Sequence, residues 1–276
     1  MERIPHYRDK STQAVNGFCC VAEIKLLYSI ALSPKIAALK KRLLAFSSSR
    51  VGTGSYLETA VAPIHNFLGD TPLHIAFIPF ASVSSDHEVY AGNVRQALSA
   101  LPYDIQAVTP GNAIAVIEKA DAIMIGGGNT FKLLHDMYQL QLMQLVKQKV
   151  QSGAAYIGWS AGSNIAGASI CTSNDMPIIN PGSFTALGFL PFQINPHYYN
   201  QPITGFNGET RNQRLAEFLQ LNPGQKVAAL PEGTALLMEE SQLQLTGSGN
   251  AFLFSWTSKG FTEQEISPGE DLSYLL

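Results

Sequence analysis

Gly158-Trp159-Ser160-Ala161-Gly162 is the stretch of this chain best suited to do chemistry. It follows the apolar residues 154–157 and precedes the small residues 163–170, an order that reads as strand, sharp turn, helix. Such a turn forces the serine into a strained backbone conformation, and glycine on either side removes the collisions a side chain would make. The serine oxygen then stands clear of the sheet at the first turn of a helix, where free N–H groups favour a developing negative charge. That setting suits a nucleophile attacking a carbonyl. It needs a base within hydrogen-bond reach, and the base needs an orienting acid.

Six histidines are available as the base. His6 lies in the leader, His65 and His135 fall on predicted helices, and His74 opens a predicted strand at its amino end, all poor positions. His87, in the loop after a strand, is the reserve candidate. His197 is the favourite, because Asn195-Pro196-His197 directly follows the predicted strand 192–195 and proline fixes the exit direction. For the acid, Asp175 and Glu232 both qualify. Asp175 gives the chain order Ser, acid, His and Glu232 gives Ser, His, acid; unrelated folds reach the same geometry in different orders, so order does not choose.

Two further groups belong with them. Gly126-Gly127-Gly128-Asn129-Thr130 follows the apolar run 122–125, and its backbone N–H groups suit an anion. The loop is neither a dinucleotide fingerprint nor a phosphate-binding P-loop, so no nucleotide cofactor is expected. Histidine and cysteine do not cluster at ligand spacing, so no metal is expected either. Arg211, in Gly208-Glu209-Thr210-Arg211, opens a predicted helix and is suited to clamp a substrate carboxylate.

The elements that must position these residues alternate. Apolar strands are predicted at 43–46, 73–79, 105–108, 122–125, 154–157, 192–195 and 227–230, separated by helical patterns near 55–67, 88–101, 113–119, 131–150 and 209–221. Continuous apolar strands interleaved with helices imply an α/β fold with one doubly wound, mostly parallel sheet. Strands 235–238, 242–245 and 251–256 lack intervening helices and are expected as an antiparallel edge. In such sheets the ligand crevice lies at the carboxyl ends of the strands, where Ser160, the glycine loop, His197 and Glu232 sit.

Composition sets the outer limits. The 276 residues are 46% hydrophobic and 14% charged, which excludes a disordered or coiled-coil protein. A net charge of −3 argues against nucleic acid as a partner. Residues 1–50 carry nine Lys/Arg against three Asp/Glu, whereas residues 51–276 carry nine against eighteen. Residues 1–39 are therefore read as a loosely ordered N-terminal extension and 40–276 as the catalytic domain. The absence of a long uncharged apolar run argues against a membrane span, and three cysteines, Cys19 and Cys20 adjacent and Cys171 far away, suggest no disulfide framework and fit a reducing cytoplasm.

Taken together, these blocks resemble the peptidase E family, bacterial aspartyl dipeptidases related to cyanophycinase. The likeness rests on 126–131, Gly158 to Gly162 with Asn164, Asn174-Asp175-Met176-Pro177-Ile178, Ile194-Asn195-Pro196-His197, Gly208 to Arg211 and Pro231-Glu232-Gly233, and it runs from about Lys40 to near the C-terminus. It implies a Ser160-His197-Glu232 triad, with the backbone N–H groups of Gly128 and Ala161 as oxyanion hole. Arg211 would then pair with the side chain of an N-terminal aspartate, with Asn129 and Asp175 as further substrate-binding residues. It also implies a flavodoxin-like sheet similar to that of class I glutamine amidotransferases, and a small acidic dipeptide as substrate. A cyanophycinase-like hydrolase of other acidic peptides is the alternative. Glutaminases of that fold carry cysteine where this chain has Ser160, and a silent acidic-peptide binder would need a broken triad, of which no member is missing.

Overall fold

Residues 41–84, 86–201, 205 and 207–276 are described by the computed structural model. The expected extension, residues 1–39 with His6, Cys19 and Cys20, lies outside them.

Five parallel strands form the centre: β1 (Arg42–Phe46), β2 (Leu73–Ile78), β3 (Tyr103–Ala107), β4 (Ala122–Ile125) and β5 (Ala155–Trp159). Side chains alternate across this sheet, and both faces are covered, so every residue of β4 and β5 is buried. Leu43, Ala45, Ile123, Ile125 and Tyr156 point to one face. There they meet α3 (Ala113–Lys119), α4 (Thr130–Gln139) and α5 (Leu142–Gln151). Leu44, Phe46, Met124, Ile157 and Trp159 point to the other face, against α1 (Val61–Leu68) and α2 (His87–Ala97). Each large apolar side chain so buried contributes about 1.5–3 kcal/mol. Among the described residues no helix is long and apolar enough to cross a membrane.

The α/β class and the parallel centre are as the sequence implies; the partition of the remaining strands differs from the single sheet expected. β8 (Thr234–Glu239) and β9 (Gln242–Gly247) extend the large sheet as an antiparallel edge, in the order β3-β2-β4-β5-β1-β8-β9. β6 (Gln193–Pro196), β7 (Lys226–Leu230), β10 (Ala251–Thr257) and β11 (Gly260–Ile266) form a second sheet, ordered β11-β10-β7-β6. One face of this small sheet, with Ala228, Leu230 and Leu253, joins the core under the large sheet. The other face packs Val227, Ala229 and Phe254 on Leu215 and Leu219 of α7 (Arg211–Leu221). The chain passes from the small sheet to the large one between β7 and β8, at the corner Pro231-Glu232-Gly233.

Two helices also differ from expectation. The pattern 131–150 is broken at Gln141, whose φ of 56° leaves the helical region. The buried positions Leu133, Leu134 and Met137 continue as Leu142, Met143, Val146 and Val150, a phase no single helix can carry. After Ser160 the helix α6 is one turn, Ala161–Asn164, because residues 165–170 turn their backbone elsewhere. The Ala168 N–H donates to the Phe192 carbonyl and the Ile170 N–H to that of Phe184.

Candidate active site

Ser160 occupies the bend between β5 and α6 with φ 52° and ψ −113°, a conformation that L-residues adopt only when the surroundings impose it. Here the surroundings are backbone. A Cβ on Gly158 would lie 2.7 Å from the Gly162 backbone, and one on Gly162 would lie 2.1 Å from the Ile125 carbonyl oxygen. The buried Tyr156 hydroxyl donates to the Gly162 carbonyl at 2.5 Å and ties the far side of the bend; burial holds its pKa well above the usual tyrosine value.

His197 and Glu232 come from the small sheet and its corner. The Ser160 Oγ lies 2.9 Å from His197 Nε2, and His197 Nδ1 lies 3.0 Å from Glu232 Oε1. Both side chains are about half exposed, at 45% and 50%. The Glu232 alternative is thus the one the geometry joins to the histidine, while Asp175 lies against α4. The reserve candidate His87 begins α2 with its ring 5.3 Å from Phe80, and burial lowers its pKa.

A residue that sequence reasoning passed over links the two halves. Ser47, fully buried at the end of β1, donates its hydroxyl to the Leu230 carbonyl at 2.7 Å and accepts the His197 N–H at 2.9 Å. Its own N–H donates to the Thr234 carbonyl at 2.9 Å, just beyond the corner that bears Glu232. Its neighbour Phe46 offers one carbonyl to both the Ser160 N–H, at 3.2 Å, and the Ser163 hydroxyl, at 2.6 Å. Two consecutive residues therefore touch all three segments that carry Ser160, His197 and Glu232. His197 itself has φ 52°, so its backbone is strained and held partly by that Ser47 bond.

The glycine loop lies against the serine: a Cβ on Gly127 would sit 3.0 Å from Ser160 Cβ. Gly128 has φ 138°, and a Cβ there would fall 2.3 Å from the Ala81 carbonyl oxygen, so only glycine fits. The next N–H, of Asn129, donates to that same carbonyl at 2.8 Å. The Gly128 N–H has no hydrogen-bond partner among the described residues, and the Ala161 N–H lies at the open end of the α6 turn. These two donors are free to meet an oxyanion.

Asn129 and Asp175 are engaged by the protein. Asn129 Oδ1 caps α4 through the Lys132 N–H at 3.0 Å, and its Nδ2 donates to the Met176 carbonyl at 2.8 Å. Asp175 Oδ2 accepts the Thr130 N–H at 2.7 Å. Together they staple the segment around 175–176 to the first turn of α4. Arg211 is different. It opens α7 within the Thr210–Gln213 capping box, and its Nη1 donates at 3.1 Å to the side-chain oxygen of buried Asn195, two residues before His197. Asn195 is itself held by donating to the Thr172 carbonyl at 2.6 Å and to Asn174 Oδ1 at 3.0 Å. Among the described residues no carboxylate pairs with Arg211, and its pKa is lowered by burial first and by neighbouring Arg214 second. A half-buried guanidinium without an acid partner is poised for an anionic ligand.

A family model described as Peptidase family S51 matches residues 43–246. Peptidase E of Nostoc sp. is 46% identical over 239 residues, covering 86% of this chain and 98% of that protein. Peptidase E of Shewanella oneidensis is 47% identical over 237 residues, covering 84% and 98%. Among solved structures, a putative peptidase E protein from Listeria monocytogenes superposes with a TM-score of 0.59 at 23% identity, over 76% of this chain and all of that one. A peptidase from an acI-B1 actinobacterium gives 0.61 at 18% identity, over 85% and 97%. At those identities the two structures speak for the fold.

Proposed function

This chain belongs to peptidase family S51, and from that premise we propose that it is a serine exopeptidase hydrolysing dipeptides with an N-terminal aspartate. The observation that carries the reading is the unbroken relay from Ser160 Oγ through both ring nitrogens of His197 to Glu232, with spacings of 2.9 and 3.0 Å. In this mechanism His197 takes the Ser160 proton as the oxygen attacks the aspartyl carbonyl. The Gly128 and Ala161 N–H groups hold the resulting oxyanion. The C–N bond breaks as His197 returns that proton to the leaving amine, which departs as a free amino acid. His197 then deprotonates a water that attacks the acyl-enzyme, and on collapse of the second tetrahedral intermediate the proton goes to Ser160. Glu232 holds the imidazole in the required tautomer and stabilises its charged form.

Arg211, which pairs with no carboxylate among the described residues, supports the preference for aspartate, with Asn195 fixing the guanidinium while its remaining donors take the substrate carboxylate. A small acidic dipeptide is the partner this site suits, and a reducing cytoplasm is the compartment that fits the three cysteines of the sequence. The test is a dipeptide panel. Asp-Leu should be cleaved at least ~10²-fold better by kcat/KM than Ala-Leu, and Arg211→Ala should remove most of that preference, since removing one partner of a buried, hydrogen-bonded charge pair costs about 2–5 kcal/mol. An Arg211→Ala variant that keeps the full preference would remove Arg211 from substrate recognition.

A further inference from the structure

The Tyr90 hydroxyl, on α2, donates to the Gly127 carbonyl oxygen at 3.0 Å and accepts from Trp159 Nε1 at 3.3 Å. The Gly127 carbonyl and the Gly128 N–H belong to one peptide unit. That unit is planar and trans, so its C=O and N–H point in opposite directions, and whatever fixes one fixes the other. We infer that Tyr90 is a positioning residue, whose hydroxyl grips the back of the Gly127–Gly128 peptide so that the front of it, the Gly128 N–H, faces the oxyanion.

The surroundings are built for this grip. The Tyr90 ring packs edge-on against Phe77, with centroids 5.0 Å apart, and Phe77 stacks on Trp159 at 5.8 Å, the residue before the serine. Gly126 lets the hydroxyl approach, because a Cβ there would lie 2.5 Å from the Tyr90 oxygen. Without the hydroxyl little would orient the peptide: flanking glycines leave both of its torsions permissive, and the nearest other restraint is the Asn129 N–H to the Ala81 carbonyl, one peptide further on. A donor hydrogen-bonded through its own carbonyl is also polarised, which strengthens it towards an anion. Tyr90 touches neither substrate nor nucleophile in this scheme and acts only through the peptide it holds.

The inference rests on Ser160 being the nucleophile, and the experiment separates the two. Ser160 is titrated with an alkyl fluorophosphonate, whose phosphoryl oxygen draws on the same oxyanion donors: the Ser160 O–P bond forms, fluoride leaves, and His197 takes the serine proton. Tyr90→Phe should slow this labelling about 10- to 100-fold, somewhat less than the ~10²- to 10³-fold loss seen when a donor is deleted outright. It should lower kcat for Asp-Leu by a similar factor with KM within twofold, which a merely structural role would not produce. Tyr103→Phe is the control: the Tyr103 hydroxyl donates to the Gly69 carbonyl at 2.7 Å, at the amino end of β3 and away from the glycine loop. It should label at the wild-type rate.

Labelling of Tyr90→Phe within twofold of wild type, or an equal slowing by Tyr103→Phe, would overturn the inference. If wild type is labelled at Ser160 but does not cleave Asp-Leu, the dipeptide reading fails while the labelling rates still decide the role of Tyr90. If wild type is neither labelled nor cleaves Asp-Leu, both fall together.

Discussion

The two halves of the site are built from different materials. The nucleophile half, β4, β5 and the turns that follow them, is shaped by backbone meeting backbone: Gly158, Gly162 and Gly128 each leave no room for a Cβ, and the strands beneath are wholly buried. The base half, β6, the corner at Glu232 and α7, is held by side-chain hydrogen bonds among half-exposed or polar residues such as His197, Glu232, Asn195 and Arg211. The bend at Ser160 is rigid because it cannot be otherwise packed, and the Gly127–Gly128 peptide beside it is held by the Tyr90 hydroxyl. The second half is ordered only as far as its hydrogen bonds hold it, which suits groups that move protons and admit a substrate.

If that contrast is right, a single methyl group should do the most damage in the first half. Gly162→Ala drives a Cβ into the Ile125 carbonyl, and relieving the overlap means moving β4 or the bend at Ser160. We expect activity to disappear and the melting temperature to fall by about 2–10 °C, the range corresponding to about 1–3 kcal/mol of overpacking in a chain of this size. An active, equally stable Gly162→Ala would show that the bend is soft.

A chemically larger change in the second half should spare the fold. Glu232→Gln keeps the shape but removes the charge opposite His197, and kcat should drop by about 10²- to 10⁴-fold. Since both partners are about half exposed, their pairing contributes little to stability, and the melting temperature should move by no more than about 2 °C. Loss of cooperative unfolding in this variant would contradict the division.

Ser47 stands at the junction and should show an intermediate response. Ser47→Ala leaves the His197 N–H without its acceptor and the buried Leu230 carbonyl without its donor, which costs about 1–3 kcal/mol. A strained His197 released from one restraint should lower kcat several-fold while KM for Asp-Leu stays nearly constant. A change confined to KM would place Ser47 in substrate binding instead.

The same contrast explains what was legible in the sequence. Ser160, His197 and Glu232 stand out because each ends or follows a strong apolar strand, and the glycines flag backbone contacts directly. The choice between Asp175 and Glu232 was not legible from the residues, because it depends on which sheet β7 joins, and two-residue periodicity marks a strand without naming its partner. β11 escaped notice because it is an edge strand whose Glu263 and Glu265 face solvent, giving no apolar run. The break at Gln141 was written in the phase of the buried residues, yet an unbroken helical pattern masked it. Ser47 sits in a run of three serines that reads as loop, and Tyr90 reads as an ordinary helix residue; both act through backbone groups, which side-chain patterns do not display.

The central claim is that Ser160, presented by the rigid half, is the nucleophile served by the other. Ser160→Ala is a fair probe, because alanine meets the same backbone strain and loses only the oxygen. With Asp-Leu as substrate, leucine release by the purified variant should fall by about 10⁴-fold or more with an unchanged melting temperature. Turnover by Ser160→Ala within about tenfold of wild type would contradict the account.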